Sequence, residues 1–187
     1  RLLKYMFSAM QERCAKELEI LGIVVPEVPE IPRIALEEAL KLLTEEYGKT
    51  HEELDLDPEG ERLLGKAILE RTGSEFVYVT DYPWNKRPMY TMPKGEHSTA
   101  SFDLLFRGLE ITTGGQRIHD RALLEANMLK KGLSPQDFAS YLSNFSIGMP
   151  PHGGLAIGLE RLTAQILGLT NIREATLFPR DRHRLTP

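Results

Sequence analysis

The stretch FRGLEITTGGQRIHD, residues 106–120, constrains the fold of this chain more than any other segment. Its first half has the alternation and the β-branched and aromatic content of a strand with one buried face. A Gly–Gly pair inside such a run is the signal of a two-residue hairpin turn. A turn at Gly114–Gly115 would set Thr113 against Gln116, Thr112 against Arg117 and Glu110 against His119. Side chains alternate along a strand, so Glu110, Arg117 and His119 would then share one face. A carboxylate, a guanidinium and an imidazole on one face admit two readings. One is a solvated face with a cross-strand ion pair worth less than about 1 kcal/mol. The other is the floor of a ligand site, with the carboxylate suited to a hard cation and the guanidinium to an anionic substrate.

Around this stretch the pattern is that of an α+β fold, an antiparallel sheet with helices on one side. Leu2, Leu3, Met6, Phe7, Met10 and Cys14 recur at helical spacing, which predicts one amphipathic helix ending near Gly22, with Cys14 a small buried hydrophobe. VVPEVPEIPR, residues 24–33, reads as an extended connector because each proline disfavours helix at the residue before it. Residues 34–47 return to helix. The next helix has Asp57 as its N-cap, Pro58 at its first position and Gly73 as its stop. EFVYVTDY and PMYTMP read as strands flanking the loop PWNKR, and SFDLLFRGLEI continues the β pattern. DRALLEANMLKKG and SPQDFASYLSN are helical, and GGLAIG is a short strand running into the helix LERLTAQILG.

The bulk properties bound the function. With 187 residues, 41% apolar and 27% charged, the chain suits one compact domain. A net charge of −4 argues against a dominant nucleic-acid surface. A single cysteine, Cys14, excludes an internal disulfide and fits a reducing compartment. No apolar run reaches 18 residues and no signal-peptide pattern opens the chain, so the cytoplasm is the expected location and no membrane is a partner. A start at Arg1 suggests a piece of a longer polypeptide, or one processed at its N-terminus.

Two further segments carry chemistry. In PPHGGLAIGLERLTAQILGL, residues 150–169, Gly153 and Gly154 permit close approach of backbone or ligand. Leu159, Leu162, Ile166 and Leu169 read as the buried stripe of the helix. Arg161 lies off that stripe near the helix N-terminus, where it is either an ordinary surface arginine or an addition to a phosphate-binding helix end. In YPWNKRPMYTMP, Lys86 and Arg87 sit on a loop that composition alone reads as a solvated tip. The phosphate loop GxxxxGK[ST] and a GxGxxG after a strand are both absent. His97, His152 and His183 are scattered without partners at zinc spacing, and no nucleophile–base arrangement can be argued.

GLAIGLERLTAQILGLTNIREATLFPRD resembles the third signature motif of the class II aminoacyl-tRNA synthetases, in the aspartyl and asparaginyl branch. The tail LFPRDRHRLTP is similar to that of archaeal-type aspartyl enzymes. RPMYTMP, FDLLFRGLEITTGGQRIHD and DPEGERLLG match the same group in order, so the resemblance covers nearly the whole chain. It implies a class II catalytic fold, in part, and the activity of an aspartate–tRNA ligase. Glu110 falls at the carboxylate that holds ATP-bound Mg²⁺, and Thr113 beside that metal and the amino acid. Arg117 falls at the arginine that grips the aspartate side chain, where lysyl relatives look to have an acidic residue. Gly158, Leu159, Glu160 and Arg161 fall at the ATP-binding segment, with Arg161 at the triphosphate and adenine. Arg87 falls where relatives often have lysine against the substrate carboxylate, and Lys86 could serve instead because the following loop is shorter here.

The resemblance further implies L-aspartate, ATP and tRNA(Asp), with tRNA(Asn) as an additional acceptor left open, and a homodimer. Two earlier family motifs and the anticodon-binding barrel are not in these 187 residues. The chain is therefore expected to be the C-terminal part of a catalytic domain, inactive alone and with apolar sheet surface uncovered. Rival readings keep the fold but change the enzyme, to an asparaginyl-tRNA ligase or a synthetase-like asparagine synthetase, or drop catalysis for a binding module.

Overall fold

The structure, a computed structural model, describes residues 1–186; Pro187, the last residue of the family-like tail, lies outside the described residues. The described residues form seven α-helices and seven strands. In chain order they are α1 (Leu2–Arg13), α2 (Ala15–Leu21), β1 (Arg33–Ala35), α3 (Leu36–Tyr47), α4 (Pro58–Thr72), β2 (Phe76–Thr80), β3 (Pro93–Lys94), β4 (Ser98–Thr99), β5 (Ser101–Phe106), β6 (Leu109–Arg117), α5 (Arg121–Lys130), α6 (Ala139–Ser146), β7 (His152–Ile157) and α7 (Leu159–Leu167). Five strands form one sheet in the order β1-β2-β5-β6-β7, antiparallel except for the β1–β2 pair; β3 and β4 form a small separate ribbon.

Alternation along β2 and β5 sorts the side chains onto two packed faces. Phe76, Leu104 and Phe106 point toward α1 and α7, where they meet Leu3, Phe7, Leu162 and Ile166. Phe76 and Phe106 stack at 4.3 Å, and Phe7 meets both edge-on at 5.9 Å. Val77, Val79 and Leu105 point the other way, onto Leu36, Leu40 and Leu43 of α3 and Leu64, Ala67 and Ile68 of α4. Each of the buried Val, Leu, Ile and Phe side chains contributes about 1.5–3 kcal/mol. Helices therefore flank both faces of the sheet rather than one, because β2 and β5 are apolar on both sides. A third cluster, Ile118, Leu124, Met128, Leu142 and Phe145, seats α5 and α6 at the end of β6.

The local signals hold where the determining residues are close in sequence. The Asp57 carboxylate accepts from Gly60 N–H at 2.7 Å, Pro58 opens α4, and Gly73 closes it at φ 71°. Other expectations are overturned. The N-terminal helix breaks at Cys14, whose φ, ψ of −116°, 23° is not helical, and Cys14 is exposed. The end of the proline connector and the start of the next helix, Arg33–Ala35, form β1, an edge strand parallel to β2. Of PMYTMP only the last residue, Pro93, is in a strand, β3 of the small ribbon; the rest is a turn with one bridge, Thr91 to Arg117, whose backbone wraps over the end of β6 instead of entering the main sheet. Leu159 is 68% exposed and leaves the buried stripe of α7 to Leu162 and Ile166.

The hairpin also lies elsewhere. β6 runs straight through Gly114 and Gly115, and the turn is at Arg107–Gly108, both at positive φ (50° and 70°) as a tight two-residue turn requires. Gly108 is needed there because α4 crosses it: a Cβ would stand 2.8 Å from the Arg62 Cα. Gly114 and Gly115 serve close packing. A Cβ on Gly114 would meet the Phe102 ring at 2.7 Å, and one on Gly115 the Ala100 carbonyl oxygen at 2.7 Å.

Candidate active site

Strict alternation along β6 would place Glu110 on the face opposite Thr113 and Arg117. A bulge reverses this. Leu104 opposes Thr112 and Leu105 opposes Glu110, so Ile111 is one residue extra in the ladder. Ile111 joins the aromatic core, while Glu110 moves to the face of Leu105, Asp103 and Thr113. Glu110, Thr113 and Arg117 therefore do share a face, through the bulge and not through a hairpin. His119 lies beyond the strand end, with its Nδ1 buried and without a protein partner.

Arg117 lies across the neighbouring edge strand. Its partner in the β6–β7 ladder is His152, one pair beyond Gln116–Gly153 and two beyond Gly115–Gly154. A Cβ on Gly154 would stand 2.7 Å from the Arg117 Nη2, so glycine is what lets the guanidinium lie there. The Tyr90 ring faces that guanidinium at 5.2 Å. Tyr90 is held in place because its carbonyl accepts from Ile118 N–H at 2.8 Å, while Met92 N–H donates to the Gln116 carbonyl at 2.9 Å.

Lys86 and Arg87, adjacent in sequence, go opposite ways. Lys86 pairs with Glu53 and Asp55 on the surface, which removes it from the site. Arg87 turns inward: Nη2 donates to Asp103 Oδ2 at 2.7 Å, Nη1 to Thr113 Oγ1 at 3.1 Å, and the guanidinium stacks on Tyr82 at 3.7 Å. Arg87 and Arg117 border one cavity of about 140 Å³, together with Thr113, Gly115, Gln116 and Ala156. The loop carrying Arg87 is fastened to α5. Buried Asn127 accepts from Trp84 Nε1 and donates to the Met89 carbonyl, and Lys131 Nζ donates to the carbonyls of Trp84 and Asn85.

The second cluster centres on Glu110. Arg161 Nη1 donates to its carbonyl oxygen at 2.9 Å and stands 3.4 Å from its carboxylate. The Glu61 carboxylate accepts from Glu110 N–H at 2.8 Å. Gly158 N–H donates to the Ile111 carbonyl at 2.8 Å, which fixes the start of α7 beside the bulge. That start has no side-chain cap, and Leu159 and Glu160 are exposed on it. Burial and the Asp103 charge push the Glu110 carboxyl above its ordinary value, against the opposing pull of Arg161. Burial raises Glu61 likewise. A carboxylate so placed gains from an added cation, which would offset its desolvation. Among the described residues no three His, Cys, Asp or Glu side chains form a ready metal cage. The donor set thus fits a hard cation that takes its other ligands from phosphate and water.

The residues named from sequence thus fall into two neighbouring clusters: Arg87, Thr113 and Arg117 around the cavity, and Glu110 with Arg161 at the start of α7. Sequence reasoning missed Asp103, Glu61, Tyr82, Tyr90 and Asn127. Asp103 alone left a signal, as an ionisable residue in the otherwise apolar run FDLLF.

The model of the class II tRNA synthetases (D, K and N) matches residues 1–182. The chain belongs to this family. An "Aspartate--tRNA(Asp/Asn) ligase" of Thermus thermophilus is 51% identical over 187 residues, covering 100% of this chain and 44% of that protein. The solved "Aspartyl tRNA synthetase from Entamoeba histolytica" superposes with a TM-score of 0.91 at 36% identity, over 100% of this chain and 40% of that one. An asparaginyl-tRNA synthetase of Pyrococcus horikoshii, solved with asparaginyl-adenylate, gives a TM-score of 0.87 at 31% identity, over 100% and 44%. The chain thus spans less than half the length of these relatives.

Proposed function

We propose that this chain is the C-terminal part of the catalytic domain of an aspartate–tRNA ligase, activating L-aspartate with ATP and passing it to the 3′ end of tRNA. The observation that carries the reading is the cavity bordered by two guanidiniums, Arg87 and Arg117, next to Glu110 and Arg161. In it, Arg117 pairs with the side-chain carboxylate of aspartate, with Arg87 as second donor and Thr113 as neighbouring hydroxyl. A neutral amide would leave such guanidiniums partly unpaired, which disfavours asparagine. The higher identity to the aspartate-named relatives supports the same choice.

The bound aspartate would direct its α-carboxylate toward the α-phosphorus of ATP lying along the Gly158–Arg161 segment. Charge builds on the phosphoryl oxygens as pyrophosphate leaves, and Arg161 faces that charge from the start of α7. Leu159 and Glu160 shape the same rim. Glu110, with Thr113 beside it, would hold Mg²⁺, which when bound neutralises phosphate charge and orients the leaving group. No protein nucleophile is required. The acceptor is tRNA(Asp), with tRNA(Asn) as a further acceptor in the manner of the Thermus relative's name. The working enzyme is a homodimer in the cytoplasm; among the described residues no helix is long and apolar enough to cross a membrane.

ATP–pyrophosphate exchange tests the reading. The full-length polypeptide is expected to exchange in the presence of aspartate and the isolated 187 residues are not, while tRNA charging separates a ligase from an amidating paralogue. Arg117→Ala is expected to abolish aspartate activation while ATP binding persists. Unchanged aspartate KM and kcat in that variant would overturn the assignment.

A further inference from the structure

The peptide that carries Glu110 is held by side chains where a strand residue would be held by its neighbour. The β6–β7 ladder ends at the Thr112–Ile157 pair, so Ile111 and Glu110 lie beyond it. Gly158 N–H still reaches the Ile111 carbonyl as the chain turns into α7. At Glu110 two distant side chains take over. Glu61 on α4 accepts from the Glu110 N–H at 2.8 Å, and Arg161 on α7 donates to the Glu110 carbonyl at 2.9 Å. One acceptor and one donor are what a residue on an adjoining strand would provide.

The approach of Glu61 is built into the packing. A Cβ on Gly65, one helical turn after Glu61, would stand 2.7 Å from the Gly108 Cα, so α4 meets the turn before Glu110 backbone to backbone. The Asp57 cap and Pro58 fix the start of the same helix. Burial of Ile111, 1% exposed, decides which residue at the bulge faces the core. That burial does not decide how the adjoining peptide is turned, because a bulge disrupts the ladder locally.

Resting on the reading of Glu110 as the carboxylate that holds Mg²⁺, we propose that Glu61 is a positioning residue, which grips the Glu110 N–H and keeps the Glu110 carboxylate turned toward the cation. Arg161 holds the same peptide by its carbonyl while facing phosphate, so α4, β6 and α7 are joined at one residue. Groups that orient a metal ligand without touching the metal govern its affinity by about 10- to 100-fold. The rival role for Glu61 is direct ligation of the cation. The two roles differ in what the side chain must supply: an acceptor oxygen for the first, a negative charge for the second.

Substitutions at Glu61 in the full-length enzyme separate them. Two readouts serve: hydrogen–deuterium exchange at the Glu110 amide without nucleotide, and the Mg²⁺ needed for half-maximal aspartate-dependent pyrophosphate exchange. Glu61→Ala is expected to raise both the amide exchange rate and the Mg²⁺ requirement about tenfold, with the aspartate KM within about twofold of the parent. Glu61→Gln keeps an acceptor oxygen at the same reach and loses the charge, and both readouts are expected to stay within about threefold of the parent. Should Glu61→Ala fail to fold, Glu61→Asp keeps the charge, withdraws it by one methylene, and is expected to reproduce both losses. Undisturbed amide exchange or an unchanged Mg²⁺ requirement in the alanine or aspartate variant would overturn the proposal. So would an aspartate KM raised in step with the Mg²⁺ requirement, or a glutamine variant as impaired as the alanine one. An unsubstituted enzyme without aspartate-dependent exchange would overturn the functional reading, and this inference with it.

Discussion

The two halves of β6 differ as much as any two regions of this molecule. In the first half, Ile111 and Thr112 are buried, and Ile111 lies in a cluster with Phe76, Phe106 and Leu162. In the second, Gly114 and Gly115 carry no side chain, and Thr113, Gln116 and Arg117 are exposed. The first half is backed by helices on both faces. The second borders β7, an edge strand on which Leu155 is 55% exposed. One end of the strand is committed to stability and the other to presenting charged groups over bare backbone. The bulge at Ile111, within the first half, brings Glu110 to the charged side.

Substitutions can break or sharpen this contrast. Phe106→Ala, in the packed region, is expected to cost about 3–5 kcal/mol in urea unfolding; a loss under 1 kcal/mol would erase the distinction. Gly154→Val, in the open region, is expected to raise the full-length enzyme's aspartate KM about a hundredfold. The added side chain displaces the Arg117 guanidinium, and a displaced charge-assisted contact is worth about 2–3 kcal/mol. Its urea midpoint is expected to move little, because the atom struck is the end of a flexible side chain.

A smaller effect concerns pH. Glu110 and Glu61 titrate above 4.5 in the folded chain, so the fold retains protons there that the unfolded chain has released. Their contribution to stability is complete below pH 4.5 and fades as pH rises through the folded values. Glu110→Gln removes one of these protons from the balance, so unfolding measured from pH 4 to 7 is expected to lose less stability with rising pH than the parent. The smallest effect belongs to Lys86→Ala. Its surface pairs with Glu53 and Asp55 are screened by solvent and contribute little, and the aspartate KM is expected to stay unchanged. A raised KM would return Lys86 to the role assigned to Arg87.

What could be read from the sequence was what neighbouring residues settle among themselves. The Asp57–Pro58 start and Gly73 stop of α4 and the strand pattern of β5 depend on contacts a few residues away. The motif order was legible for the same reason, and it named Glu110, Thr113, Arg117 and Arg161 before any geometry. Tertiary structure alone decided which glycine turns the chain, because that depends on α4 crossing Gly108 and on Phe102 and Leu155 closing over Gly114. It alone inserted Ile111 as an extra residue, sent Lys86 outward and Arg87 inward, and set Asp103 behind Arg87. Those choices are made by groups well separated along the chain, 16 residues for Arg87 and Asp103, and no local pattern encodes the space they compete for.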